Sequence, residues 1–207
     1  MFITFEGGDG SGKSTQLQLL GKAFTASAIP HVMTREPGGS AGAEAIRKLL
    51  VSGEADAWDA ETETLLFYAA RLDHVNKLIK PALAEGKTVI CDRFADSTLV
   101  YQGIGKGLSG EYIQALHRLT LGNFMPGLTI ILDIDPAIGL KRAASRRGNE
   151  TRFENMDIDF HHRIRAGFLS IAEREPQRCM VVDAGQGQET IHKTIVDIIN
   201  NKLGIHV

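Results

Sequence analysis

The chain has 207 residues, 43% of them hydrophobic and 23% charged, with a formal charge of −2. That length suits one domain, residues 1–207, with a sizeable core, and a near-neutral balance argues against broad electrostatic binding of nucleic acid. No apolar run approaches the roughly 18 residues that cross a bilayer, and Met1 opens a core strand without the charged leading region of a signal peptide. Cys91 and Cys179 lie in apolar runs and show no metal or C-x-x-C spacing. The expectation is a soluble, cytoplasmic protein with buried free thiols and no membrane or nucleic-acid partner.

The first element is the apolar run Met1–Phe5, read as a buried strand. Behind it stands Gly7-Gly8-Asp9-Gly10-Ser11-Gly12-Lys13-Ser14-Thr15, a full match to G-x-x-x-x-G-K-[ST]. Such a loop converges backbone N–H groups on the phosphates of a nucleoside triphosphate, the lysine adds a point charge, and the Ser14 hydroxyl is placed to ligate Mg²⁺. A helix from Ser14 to about Ser27 aims its N-terminal dipole at the same anion. An ordinary glycine-rich strand-to-helix turn is the bland alternative, and the complete match between strand and helix outweighs it.

Strand two is expected at Ile29–Thr34, followed by the loop Arg35-Glu36-Pro37-Gly38-Gly39-Ser40, with Ser40 capping a helix to Leu50. After a polar turn over Ser52–Trp58, Asp59 caps a long helix to about Glu85, in which Pro81 either kinks the chain or begins a new turn. Thr88–Cys91 is strand three and ends at Asp92-Arg93. Asp96 to about Gln102 reads as helical and the glycine-rich Gly103–Gly107 as a loop. A helix over Ser109–Leu121 leads to strand four at Leu128–Ile134. Pro136 opens a further helix that grades into the charged stretch Arg142–Glu154. A helix over Asp157–Glu175, strand five at Cys179–Val182 and a helix over Gln188–Leu203 complete the chain. Apolar strands alternating with helices describe an α/β fold, a five-stranded parallel sheet with helices on both faces, of the P-loop NTP hydrolase type. Ligands bind such sheets at the carboxyl ends of the strands, where the loops after strands one (Gly7–Ser14), two (Arg35–Gly39), three (Asp92-Arg93) and four (Asp135-Pro136) lie.

Several side chains there carry chemistry. Asp92 can hold Mg²⁺ or its waters, against the plain reading of a strand-end carboxylate, and Arg93 beside it can clamp a phosphate bidentately. Arg142, Arg146, Arg147 and Arg152 form an arginine-rich segment, about 142–154, broken by Gly148. It reads either as a solvated basic helix face or as a lid over phosphates, which would supply charge and exclude water. Phe67 and Arg71, four apart on one helix face, are either core and surface or a ring and donor fork that read a base. Tyr101-Gln102 is similarly open, and the seven histidines read as structural or surface.

Three separated motifs then carry a resemblance across essentially the whole chain: Phe5–Gln16, Thr34–Gly39, and Asp92-Arg93-Phe94-x-x-Ser97-x-x-x-Tyr101-Gln102-Gly103. The sequence resembles the thymidylate kinase (dTMP kinase) family of P-loop nucleoside monophosphate kinases. The resemblance implies ATP as donor, dTMP as acceptor and a homodimer, with the apolar helices around Leu65–Ile79 and Leu116–Leu121 as candidate contacts. It implies ATP binding by residues 7–15, with Arg142 toward the adenine. Arg35, Glu36 and Pro37 would line the acceptor and metal side, with Ser97 among the substrate contacts. Phe67 would stack on thymine, Arg71 bond its O4, and Arg93 clamp the dTMP phosphate. Thr98 and Gln102 would lie near N3, Tyr101 would crowd C2′, and Asp9 would approach the 3′-hydroxyl. No arginine stands between Gly8 and Lys13, the bacterial pattern, so Arg146, Arg147 and Arg152 would join Lys13 in supplying catalytic charge. Another monophosphate or deoxynucleoside kinase is the nearest alternative. A P-loop switch is disfavoured by the lack of a guanine-reading N-K-x-D or a water-positioning glutamine, and a non-catalytic module by the intact Lys13, Ser14 and Asp92.

Overall fold

The computed structural model describes residues 1–54, 57–145, 153–154 and 156–205. Five parallel strands, β1 (Phe2–Glu6), β2 (His31–Arg35), β3 (Thr88–Asp92), β4 (Leu128–Asp133) and β5 (Cys179–Asp183), run in the order β2-β3-β1-β4-β5. The expected sheet is therefore present. Only its central strands are continuously buried, whereas β2 and β5 lie at the edges and are half exposed. The pleat sends alternate residues to opposite faces. Ile3, Phe5, Ile90, Ile130 and Leu132 meet α1 (Lys13–Ala26) and α9 (Gln188–Leu203) through Leu17, Leu20, Phe24, Ile191, Ile195 and Ile199. On the other face, Phe2, Val89 and Cys91 pack with Tyr68 of α3 (Ala60–His74) and Ile113 of α6 (Gly110–Leu121). There too, Ile131 packs with Phe160, Ile164 and Phe168 of α8 (Ile158–Arg174). Both cysteines are buried free thiols.

The second face has a polar seam between its two apolar patches. Thr4 and Thr129 share a 2.8 Å hydrogen bond, and Arg178 donates to Thr129 Oγ1 and, through both Nη atoms, to Asp96 at 2.7 and 3.0 Å. Glu6, fully buried at the end of β1, accepts from Phe94 N and Ser97 Oγ. Asp96 and Ser97 belong to α5 (Ala95–Thr98), so this short helix is pinned to the sheet by charge as well as by packing.

Helix starts follow the sequence. Ser40 caps α2 (Ala41–Leu50), Asp59 caps α3 and Asp157 caps α8, each through its side-chain oxygen. Two interiors differ from expectation. The long helix after Asp59 is α3, a π-helical turn over Val75–Ile79, and α4 (Lys80–Ala84), with Lys80 N bonding Val75 O. Pro81 lacks an N–H and its ring would strike the carbonyl four residues back, so the widened turn ahead of it absorbs the conflict. The second difference is α5, which continues as a π-helical turn over Leu99–Gly105, into the stretch expected to be a loop. Its glycines serve packing: a Cβ on Gly105 would lie 2.6 Å from the Phe160 ring, so the bare backbone lets the turn press against α8. α7 (Pro136–Ala144) begins at Pro136 as expected, with Asp135 as its cap.

Asp96 and Arg178 are both largely buried, and removing one partner would strand the other charge. Asp96→Ala should therefore cost about 3–5 kcal/mol of stability, read from the midpoint of denaturant unfolding.

Candidate active site

Strand register assembles the site. Phe5 pairs with Asp92 and Asp92 with Arg35, so the chain leaves β1, β3 and β2 at one level. Arg93 N then bonds Phe5 O, and Glu36 N bonds Asp92 O, both at 2.9 Å, locking the three loops together. The phosphate loop follows β1 directly. A Cβ on Gly10, at φ +72°, would meet Gly139 O of α7, so only glycine lets the loop lie against that helix.

Lys13 Nζ donates to Gly7 O and Gly8 O at 3.0 and 2.8 Å. Burial, then the nearby Arg93 charge, pull its pKa down to about 8. Ser14 Oγ donates to Asp92 Oδ2 at 3.0 Å, setting a hydroxyl and a carboxylate side by side at the loop's edge. These, with Gly10, Gly12, Lys13 and Arg35, line one cleft. Arg142 donates to Ala184 O and lines a neighbouring depression with Gly10, Ser11, Gly12 and Thr15.

A second cleft, of about 140 Å³, opens on the other side of Asp9 and Arg93. Its lining includes Glu36, Pro37, Phe67, Arg71, Ser97, Thr98, Tyr101 and Gln102. Arg93 forms the wall between the clefts. Its Nη1 donates to Gly7 O and Ser97 Oγ, its Nη2 to Asp9 Oδ1 at 2.8 Å and Tyr101 OH at 3.1 Å, and the guanidinium lies over the Tyr101 ring. Burial alone would raise the Asp9 carboxyl, but Arg93 and Lys13 hold it below its usual range.

Arg71 is not a surface charge. It is buried, with Nε on Glu36 Oε2 at 2.6 Å and Nη2 on Phe94 O and Thr98 Oγ1. Its Nη1 is buried with no hydrogen-bond partner among the described residues. Phe67 stands one turn earlier on α3, at the same cleft.

Residues expected at the site from 35–37, 67–71 and 92–102, with Asp9, Gly10, Gly12, Lys13 and Ser14, line two adjoining clefts, and Ser11, Thr15 and Arg142 line the neighbouring depression. Arg146, Arg147 and Arg152 lie outside the described residues. Other side chains at the site gain partners that local sequence does not specify. His74, a structural histidine in line with expectation, bridges Glu36 Oε1 at 3.1 Å and Thr34 Oγ1 at 2.8 Å and so braces the carboxylate that holds Arg71. His161 is buried and faces Gly7, Gly8 and Asp9 across a small recess, and burial lowers its pKa despite the Asp9 charge. Glu63 accepts from Gln102 and Lys106. One signal was available: residues 63, 67, 71 and 74 follow helical spacing and share a face of α3.

Two clefts divided by one guanidinium, one walled by a phosphate loop and the other by a ring and directed donors, suit a donor nucleotide and its acceptor, and fold and site together define a P-loop nucleotide kinase. A model of the thymidylate kinase family matches residues 5–195. A thymidylate kinase of Caulobacter vibrioides is 50% identical over 204 residues, 99% of this chain and 98% of that protein, and one of Ruegeria pomeroyi is 48% identical over 96% and 94%. A crystal structure of thymidylate kinase from Ehrlichia chaffeensis superposes with a TM-score of 0.78 at 37% identity, covering 96% of this chain and 98% of that one. The chain belongs to the thymidylate kinase family.

Burial, followed by the Asp96 charge, pushes the Glu6 carboxyl up to about 7, against 4.5 for the free side chain. Between those values the folded chain holds a proton that the unfolded chain has lost, so this group's contribution is fullest below pH 4.5 and fades as pH rises through 7. Glu6→Gln cannot titrate. Its unfolding midpoint should lose that decline between pH 5 and 7.5 relative to the parent chain.

Proposed function

We propose that the chain is a single kinase domain that transfers the γ-phosphoryl group of ATP to dTMP, giving dTDP and ADP. The observation that carries this reading is the shared wall: Asp9 and Arg93 line both the phosphate-loop cleft and the cleft of Phe67, Arg71 and Gln102. ATP lies along residues 7–15 with Arg142 toward its base. dTMP lies between Phe67, Arg71 and Tyr101, with its phosphate against Arg93 and the transferred group between the two. Tyr101 crowds C2′, Asp9 approaches the 3′-hydroxyl, and Ser97, Thr98 and Gln102 complete the acceptor side with Arg35, Glu36 and Pro37.

An acceptor phosphate oxygen is already anionic, so no general base is needed. Positioning and charge neutralisation carry the rate. Arg93 holds the acceptor phosphate, and a bound triphosphate competes with the Gly7 and Gly8 carbonyls for Lys13. Arg146, Arg147 and Arg152 supply the remaining charge at the transferred group, an assignment that rests on the sequence. The adjacent Ser14 hydroxyl and Asp92 carboxylate offer the hard oxygens that Mg²⁺ prefers. When bound, Mg²⁺ neutralises the outer phosphates of the donor.

A homodimer is supported by Leu65 on α3 and Leu119 on α6, which are 49% and 84% exposed. A cytoplasmic location is supported by the free thiols, and no helix among the described residues is long and apolar enough to cross a membrane.

A coupled assay of ADP release with dTMP, dUMP, UMP, CMP or no acceptor tests the reaction. Release should require a thymidylate-like acceptor, and equal release without one would sink the transferase reading. Arg93→Ala should raise the dTMP KM by about tenfold or more with little change for ATP, since a phosphate clamp contributes ground-state binding. A rise confined to ATP would place Arg93 on the donor side. Replacing Arg146 and Arg147 together by Ala should cut kcat by about 10³-fold with dTMP binding largely kept.

A further inference from the structure

One buried ion pair lies just behind the acceptor cleft. Glu63, in the first turn of α3, is fully buried. Its Oε1 accepts from Gln102 Nε2 at 2.8 Å and its Oε2 from Lys106 Nζ at 2.9 Å. Gln102 and Lys106 stand four residues apart at the π-helical turn, so one carboxylate gathers both.

This contact settles which way the Gln102 amide faces. The two ends of a glutamine amide are nearly alike in shape, and their assignment normally depends on the network around them. A carboxylate can only accept, so the NH₂ end must face Glu63. The carbonyl oxygen is then the end turned away. It has no hydrogen-bond partner among the described residues, and Gln102 lines the cleft with Phe67 and Arg71. Arg71 can only donate, and its buried Nη1 is unpaired among the described residues. The cleft therefore offers a fixed acceptor and a fixed donor. Their complement is a base edge with a donor N3–H beside an acceptor O4. A 4-amino pyrimidine presents the reverse at both atoms.

We propose that Glu63, neutralised by Lys106, is a positioning residue that locks the Gln102 amide with its carbonyl toward the acceptor base, so that the cleft selects a 4-oxo, N3–H pyrimidine over a 4-amino one. The inference rests on the dTMP kinase reading above and deepens it. Glu63→Gln keeps the shape but replaces an obligate acceptor by an amide that pairs with Gln102 in either orientation. Lys106→Met removes the donor on Glu63 Oε2 and with it one of the contacts that hold the carboxylate against the Gln102 amide.

The test measures kcat and KM of the full-length chain with dTMP and dCMP at saturating ATP. Sites with fixed polar partners reject mismatched analogues strongly, so Glu63→Gln should lower the dTMP-to-dCMP ratio of kcat/KM by about tenfold or more. The loss should fall on the dTMP KM, with kcat and the ATP KM within about threefold. Lys106→Met should move the ratio the same way. A ratio within about twofold of the parent in whichever variant folds, or a loss confined to kcat, overturns the proposal. Binding of N3-methyl-dTMP to the unaltered chain supplies a measurement that needs no variant. Affinity within about twofold of dTMP would show that no acceptor meets N3, whereas rejection by about tenfold or more supports the lock. A parent chain that binds but does not phosphorylate dTMP would refute the reaction, and an unchanged dTMP-over-dCMP affinity ratio in Glu63→Gln would then overturn the lock independently.

Discussion

The Arg93 guanidinium is the constraint on which the rest of the site depends. It follows the last residue of β3, and its φ of +68° is a backbone conformation that few residues other than glycine adopt. That turn directs the side chain back across the strand ends, where it reaches the Gly7 carbonyl, Asp9, Ser97 and Tyr101 at once. A planar fork with five donors can join a loop, a helix and a phenol in this way, and a lysine could not. The phosphate loop is thereby tied to the elements that line the acceptor cleft. The two clefts share one wall.

The same dependence on charge continues beneath the site. Glu6, Asp96, Arg178 and the Thr4–Thr129 pair occupy the middle of a sheet face that would otherwise be apolar. Buried polar groups of this kind add little net stability, because desolvation offsets most of the attraction. What they provide is position. α5 carries both Asp96 and Ser97, so the contacts that seat the helix on the sheet also set where Ser97, Thr98 and the following π-helical turn meet the cleft.

Much of this was legible from local patterns. The five strands, the phosphate loop and the caps at Ser40 and Asp59 depend on residues near one another in sequence, and each was read from it. The π-helical turns were not, because a widened turn reflects a conflict such as Pro81 or a close approach such as Gly105 to Phe160, which only the packed state reveals. The contacts of Glu63 and His74 were not legible for a related reason. The spacing of these two with Phe67 and Arg71 marks one helix face, but a carboxylate or imidazole there takes its meaning from Glu36, Thr34, Gln102 and Lys106, which other elements supply. Local sequence gives the positions on the face and leaves their partners unspecified.

Lys13 shows how the two halves of the site press on each other. Its ammonium is buried beside Arg93, and both burial and that like charge disfavour the proton, so its pKa falls to about 8. Asp9 and Asp92 oppose the shift without cancelling it. Its ammonium donates to Gly7 O, Gly8 O and Ser11 Oγ within the loop, so burial is the larger disturbance and the like charge the smaller. A polyphosphate held as proposed above would bring negative charge to Lys13 and favour its protonated form. On that reading the grip on the donor weakens as pH rises through about 8, because binding must then take up a proton. The low dielectric that lowers the lysine's pKa would, on the proposed reading, also strengthen its charge at the transferred group.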